Sequence, residues 1–199
     1  MDFSLRLVSP EFDSRLTDTL MELNHLRRLQ LHGTTSPWIF FQLKNIFHML
    51  ESIGSARIEG NRTTISEYIE RKIDHTEHSS EQFSEIANLE AAMAFIEETM
   101  APGVDVTHAF VRQLHQLVVG DLTREGDRTP GAYRSWDVRI SGSPHVPPEH
   151  FKVQGYMDEL LDFINTPLAD KYDLLKTALA HHRVAWIHPF GNGNGRTRN

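Results

Sequence analysis

Nine residues near the end of the chain, HPFGNGNGR from His188 to Arg196, combine a histidine, a phenylalanine, three glycines and an arginine. Gly193 and Gly195 let successive backbone N–H groups converge on one point, which is how a main-chain anion nest is built. A helix beginning near Asn194 adds favourable partial charge for phosphate at its N-terminus. Arg196 supplies a permanent cation whose fork suits phosphate oxygens. A histidine within a few residues of such a nest is placed to take a proton from an incoming hydroxyl. Together these types point to a polyphosphate held by Gly193, Asn194, Gly195 and Arg196, with His188 as the base and Phe190 pinning the loop into a core. Two plainer readings stay open for the residues alone. Asn-Gly is the favoured dipeptide of a hairpin turn, and glycine ends helices. The spacing fits neither a P-loop nor the dinucleotide fingerprint.

The elements that must position this loop are mostly helical. Leu16, Leu20, Leu23, Leu26 and Leu29 recur at helical spacing between Phe12 and Leu31. Ser36-Pro37 opens a second helix through WIFFQLKNIFHMLESIG, with serine as N-cap and proline in the first turn. Its aromatics Trp38, Phe40, Phe41 and Phe47 read as core. Thr64 to His75 carries a third helix, and FSEIANLEAAMAFIEETM a fourth, stopped by Ala101-Pro102-Gly103. Further helices run from Thr107 to Leu122, Pro148 to Ile164 and Asp170 to Ile187. Between them, Tyr133, Trp136, Val138 and Ile140 lie among glycine and proline, which reads as a short β-hairpin and loop. Arg134 and Asp137 flank it as a surface pair.

A second stretch, SARIEG from Ser55 to Gly60, reads as a helix end, a Glu-Gly turn and a capped restart at Thr64. His181 and His182 do not make a zinc site with His188, since neighbours on a helix point about 100° apart. Glu90, Glu97 and Glu98 read as solvated helix charges.

Bulk composition narrows the classes. The 199 residues are 39% hydrophobic and 24% charged, ordinary for a soluble globular domain. No apolar run could span a bilayer and MDFSLRLVSPEFDS is no signal peptide, so the expectation is a cytoplasmic protein without membrane contact. The absence of cysteine excludes disulfides and thiolate metal sites. A formal charge of -7 argues against wrapping nucleic acid.

With these residues in place, the C-terminal stretch resembles the signature of the Fic family, His-x-Phe-x-Asp/Glu-Gly-Asn-Gly-Arg-x-x-Arg. His188, Phe190, Gly193, Asn194, Gly195 and Arg196 all match. TALAHHRVAWIHPF resembles the helix leading into the signature, and GAYRSWDVRISGSPHVPP the family's flap hairpin and proline-rich loop. The resemblance covers roughly residues 105 to 199. It implies an all-α Fic-type fold with one short β-hairpin flap, divided into a helical region 1–100 and a Fic core 101–199. It also implies transfer of AMP from ATP, with magnesium or manganese, to a Ser, Thr or Tyr hydroxyl of a target protein. On that reading the flap residues Val138, Arg139, Ile140, Ser141 and Gly142 hold the target segment. SARIEG is similar to the family's inhibitory motif Ser/Thr-x-x-x-Glu-Gly/Asn, which makes Glu59 the residue that blocks the nucleotide site.

The chain departs from the family pattern at two positions. The family's metal-binding carboxylate falls at Asn192, an amide without charge, which implies weaker metal binding. Its final arginine falls at Asn199, leaving Glu59 to act on Arg196 or Arg198. The family's next helix would follow Asn199, so the core reads as truncated or altered there. Homodimerisation, common in the family, stays open. The alternatives are a nucleotide-binding regulatory module with weak or no catalysis, or a relative that uses another phosphorus donor or removes AMP.

Overall fold

A computed structural model describes residues 4–29, 36–74, 80–123 and 126–198. Within them the helices are α1 (Arg15–Arg28), α2 (Pro37–Ile58), α3 (Ile65–Asp74), α4 (Glu81–Thr99), α5 (His108–Val119), α6 (Val153–Asn165), α7 (Asp173–Ile187) and the short α8 (Asn194–Arg198). Local chemistry sets several starts. Ser14 accepts from the Thr17 N–H at 3.2 Å and Thr107 from the Phe110 N–H at 3.1 Å, each satisfying a donor the helix leaves orphaned. Thr64 and Glu67 form a reciprocal capping box that opens α3.

Two apolar clusters hold the bundle. Ile53 and Ala56 of α2, Tyr68 of α3, Ile86, Leu89 and Ala92 of α4 and Val118 and Val119 of α5 form one. Val153, Met157 and Leu160 of α6 and Ile187 of α7 form the other, with Tyr133 and Trp186 packed on it. Each fully buried aliphatic side chain here contributes about 1.5–3 kcal/mol relative to exposure. Helix α8 lies against α5 and α7, so the glycine loop sits where the two clusters meet.

The structure corrects three expectations. No strand occurs among the described residues, so the hairpin over Tyr133–Gly142 is a loop instead. Its one turn is closed by the Ser143 N–H donating to Ile140 O at 3.3 Å. Of the polar groups in this segment, Arg134 turns into the interior, and Asp137 accepts from the His150 N–H at 2.8 Å. The aromatics of α2 are not core. Trp38, Phe40, Phe41 and Phe47 are 61–69% exposed, and the buried residues of that helix, Ser52, Ile53, Ser55 and Ala56, all lie in its second half. Nor is Arg134 a surface residue, at 2% exposure. Helix α1 forms as its spacing predicts but buries no residue fully. It is tied to α7 through Arg27, which donates to Asp173. No described helix is long and apolar enough to cross a membrane. Asn199 lies outside the described residues.

Candidate active site

His188 ends α7 in the left-handed conformation (φ 51°, ψ 62°), which is strained for a residue with a side chain. Arg134 holds it there. Its Nε donates to His188 O at 2.8 Å, and Nη2 donates to Pro148 O at 2.6 Å and to Ile187 O at 3.3 Å. Nη1 donates to Trp136 O at 3.0 Å, and the Arg134 N–H to Pro189 O at 2.9 Å. A guanidinium has the rigid fan of donors that this cluster of carbonyls needs. The turn throws the histidine off the helix axis and starts the glycine loop.

The His188 imidazole is partly buried. Burial pushes its pKa from 6.5 down to about 4, opposed by a hydrogen bond to the Ala185 backbone, while the positive charges of Arg134 and Arg198 and the nearby His145 add to the lowering. At neutral pH the ring is uncharged and can accept a proton.

The loop beyond is pinned on both sides. Phe190 is fully buried, and its ring stacks on His115 with centroids 3.7 Å apart. His115 Nδ1 accepts from the Gly131 N–H at 2.9 Å, so Nε2 carries the proton and donates to Asn192 O at 3.1 Å. Burial lowers the His115 pKa, keeping that tautomer neutral. Asp127, its side chain 1% exposed, accepts the Asn192 N–H at 2.7 Å. Asn194 Oδ1 accepts the Phe190 N–H and Nδ2 donates to Phe190 O, both at 2.9 Å. The Asn194 side chain is thereby spent on closing the loop, and what remains for a ligand at this position is main chain.

Glycine is required at particular points. Gly193 has φ +67°, and a Cβ there would meet Val119 Cγ1 at 2.3 Å. On Gly191 it would meet the Trp136 ring at 2.6 Å. On Gly195 it would fall 2.5 Å from Glu59 Cδ, so the Glu59 carboxylate lies directly on the glycine expected to face phosphate.

The structure thus brings His188, Phe190, Asn192, Gly193, Asn194, Gly195, Arg196 and Glu59 into one region. Arg196 is buried, and its Nη1 pairs with Glu85 Oε1 at 2.6 Å. Of the flap residues, Val138 and Arg139 line a cleft of about 690 Å³, walled also by Pro144–Glu149, Lys152, Tyr156 and Trp186. Four residues that hold the loop escaped the sequence reading: His115, Asp127, Glu85 and Arg134 as a buried anchor. Glu85 and His115 lie within helical stretches that also carry the apolar core, and Asp127 and Arg134 lie in the irregular segment after α5, where spacing gave no signal.

A divalent ion finds little here. Asn192 Oδ1 accepts the Gly193 N–H at 2.8 Å, and no group of three or more His, Asp or Glu among the described residues could hold a metal. These residues do not fit a resident metal site.

Residues 105–198 match the model of the Fic/DOC family. That segment is a Fic domain. It is 30% identical over 155 residues to protein adenylyltransferase Fic of Drosophila willistoni, covering 75% of this chain and 29% of that protein. It is 31% identical over 158 residues to the protein of the same name from Aedes aegypti, covering 76% of this chain and 30% of the relative. The chain therefore spans less than a third of the length of these relatives. Among solved structures, a Fic family protein from Desulfovibrio desulfuricans G20 superposes with TM-score 0.68 at 21% identity, over 99% of this chain and 57% of that one. A Fic domain containing signaling protein from Bacteroides thetaiotaomicron gives TM-score 0.68 at 20% identity, over 93% and 69%. These likenesses establish the fold.

Proposed function

We propose that this protein is an auto-inhibited adenylyltransferase that moves AMP from ATP onto a Ser, Thr or Tyr hydroxyl of a target protein. The observation that carries the reading is a neutral imidazole, His188, set on a strained turn at the mouth of a glycine loop whose backbone is fixed from behind. In the step proposed, the target oxygen attacks the α-phosphorus. The new O–P bond forms as the bond to the β-phosphate oxygen breaks, pyrophosphate leaves, and the hydroxyl proton passes to His188. With its pKa near 4, His188 is a weak base that is fully available at neutral pH, so the proton moves as the O–P bond forms rather than before it. The backbone N–H of Gly195 meets the phosphates, joined by that of Gly193 once Asn192 Oδ1 gives it up. Magnesium or manganese enters as part of the ATP complex, and no step is assigned to a protein-bound metal.

The flap has the backbone for a docking role. Among the described residues, Val138–Gly142 enters the main-chain bonding only through Ile140 O, so an extended target segment can add to it as a strand. Glu59 is the inhibitory group, its carboxylate resting on Gly195 where phosphate oxygens would come.

The second reading, a nucleotide-binding regulatory module, is favoured by the commitment of Arg196 to Glu85 and by the uncharged Asn192. Incubation with α-labelled ATP and magnesium or manganese separates the two. Label on protein in the Glu59→Gly chain but not in Glu59→Gly/His188→Ala supports the transferase. Thermal stabilisation by ATP without label supports the module, and neither result leaves both readings without foundation.

A further inference from the structure

The turn carrying Glu59 and the loop carrying Gly195 are joined beneath the surface by a chain of polar contacts. Helix α2 ends in a left-handed cap: Gly60, at φ +99°, donates to Arg57 O and the Asn61 N–H to Ala56 O, each at 3.0 Å. That cap drives the Asn61 side chain inward, where it is 6% exposed. Asn61 Nδ2 donates to Gln82 O at 2.7 Å and to Glu85 Oε2 at 2.8 Å, while its Oδ1 accepts the Thr63 N–H at 2.9 Å. The other oxygen of Glu85 takes Arg196 Nη1, with side-chain exposures of 3% for Arg196 and 6% for Glu85.

We propose that Glu85 is a positioning residue that fixes the Glu59 turn in register with the glycine loop, gripping Asn61 with one carboxylate oxygen and Arg196 with the other. This rests on the inhibitory reading of Glu59 given above. The carboxylate of Glu59 is the flexible end of an exposed residue, and its own position on Gly195 needs a fixed base. Glu85 provides that base because a buried ion pair has one good geometry. Leaving either charge without its partner in the interior is costly, so turn and loop move together or not at all. Arg196 acts here as the tether of α8, held to Glu85 through Nη1. The signal that releases inhibition therefore has two points of entry: the Glu59 carboxylate itself and the Asn61–Glu85 contact beneath it.

The test compares Asn61→Ala, which cuts the link without touching Arg196, with Glu85→Gln, which removes the counter-charge in nearly the same shape. Hydrogen exchange followed by mass spectrometry on the full chain should show residues 59–63 and 193–197 exchanging faster together in both variants, by about fivefold or more. His188-dependent labelling should rise about five- to tenfold in Asn61→Ala and gain nothing further in Asn61→Ala/Glu59→Gly, because both changes release the same restraint. A merely structural role would lower labelling in both backgrounds, and that result overturns the proposal. Unchanged exchange at 193–197 in both variants overturns it too. Were Glu59→Gly itself to show no label, the transferase reading would fall while the exchange data still decided whether turn and loop are coupled.

Discussion

The glycine loop and the flap are the two irregular segments that the proposed reaction uses, and they are built in opposite ways. Between His188 and Arg196 the main chain is held by Arg134, His115, Asp127 and the Asn194 amide, all buried. Between Val138 and Gly142 the backbone has the Ile140–Ser143 turn, and Arg139, Ser141 and Gly142 are exposed. A loop that binds the same phosphates in every turnover gains from being fixed in advance, since displacement by about an ångström costs on the order of a hundredfold in rate. A segment that must pair with a partner's backbone gains from keeping its own groups open. The contrast separates chemistry from recognition along the chain.

Removing the base should break the comparison on the chemical side most severely. His188→Ala in a Glu59→Gly background is expected to lower single-turnover labelling by about 10²–10⁴-fold while ATP affinity holds. A loss of less than about fivefold would show that His188 is not the base. Next in size is Gly193→Ala, which forces a Cβ into Val119 at 2.3 Å and strains a residue at φ +67°. About 1–3 kcal/mol of stability should go, measured by urea denaturation, and ATP-dependent labelling should go with it. Arg134→Met tests the anchor. Several buried carbonyls lose a charged donor, for an expected cost of about 3 kcal/mol. The same variant should lower kcat by freeing the His188 turn.

How much of this was legible in the sequence follows the same division. The signature loop could be read because its parts are neighbours in the chain: Phe190 and Asn194, four positions apart, hydrogen-bond to each other. The start of α3 was readable for the same reason, Thr64 and Glu67 being three apart. The groups behind the loop were not. Asp127 meets Asn192 across 65 positions and Arg196 meets Glu85 across 111, and no spacing rule reaches that far. Arg134 looked like a surface charge because an arginine among β-formers usually is one. The aromatics of α2 misled in the other direction. Their pattern marks a face that wants cover, but a pattern cannot say whether the described chain supplies it.

On the recognition side a smaller effect is expected. Arg139→Pro removes one main-chain N–H from the flap without reaching the loop. The KM for the target should rise by up to about tenfold, the worth of one main-chain hydrogen bond. ATP affinity and thermal stability should not change. Equal losses of ATP and target binding would mean that the flap and the glycine loop are not separable, and the comparison above would fail.

The smallest effect is the pH dependence that the buried histidines impose. His188 titrates at about 4 in the folded chain against 6.5 when exposed, and burial shifts His115 in the same direction. Between those values the unfolded chain binds a proton that the folded chain refuses, so acid favours unfolding. Stability should be insensitive to His188 above about pH 6.5, fall as the pH drops toward about 4, and lose no more on its account below that. Labelling should persist to lower pH than an exposed histidine would allow, because the base stays neutral. Melting curves at about pH 7.5 and pH 5 measure the first effect, and the fall between them should be smaller in His188→Ala, which has lost the group responsible. An equal fall in both chains would place the acid sensitivity elsewhere and show that the His188 ring is more open to water than its surroundings indicate.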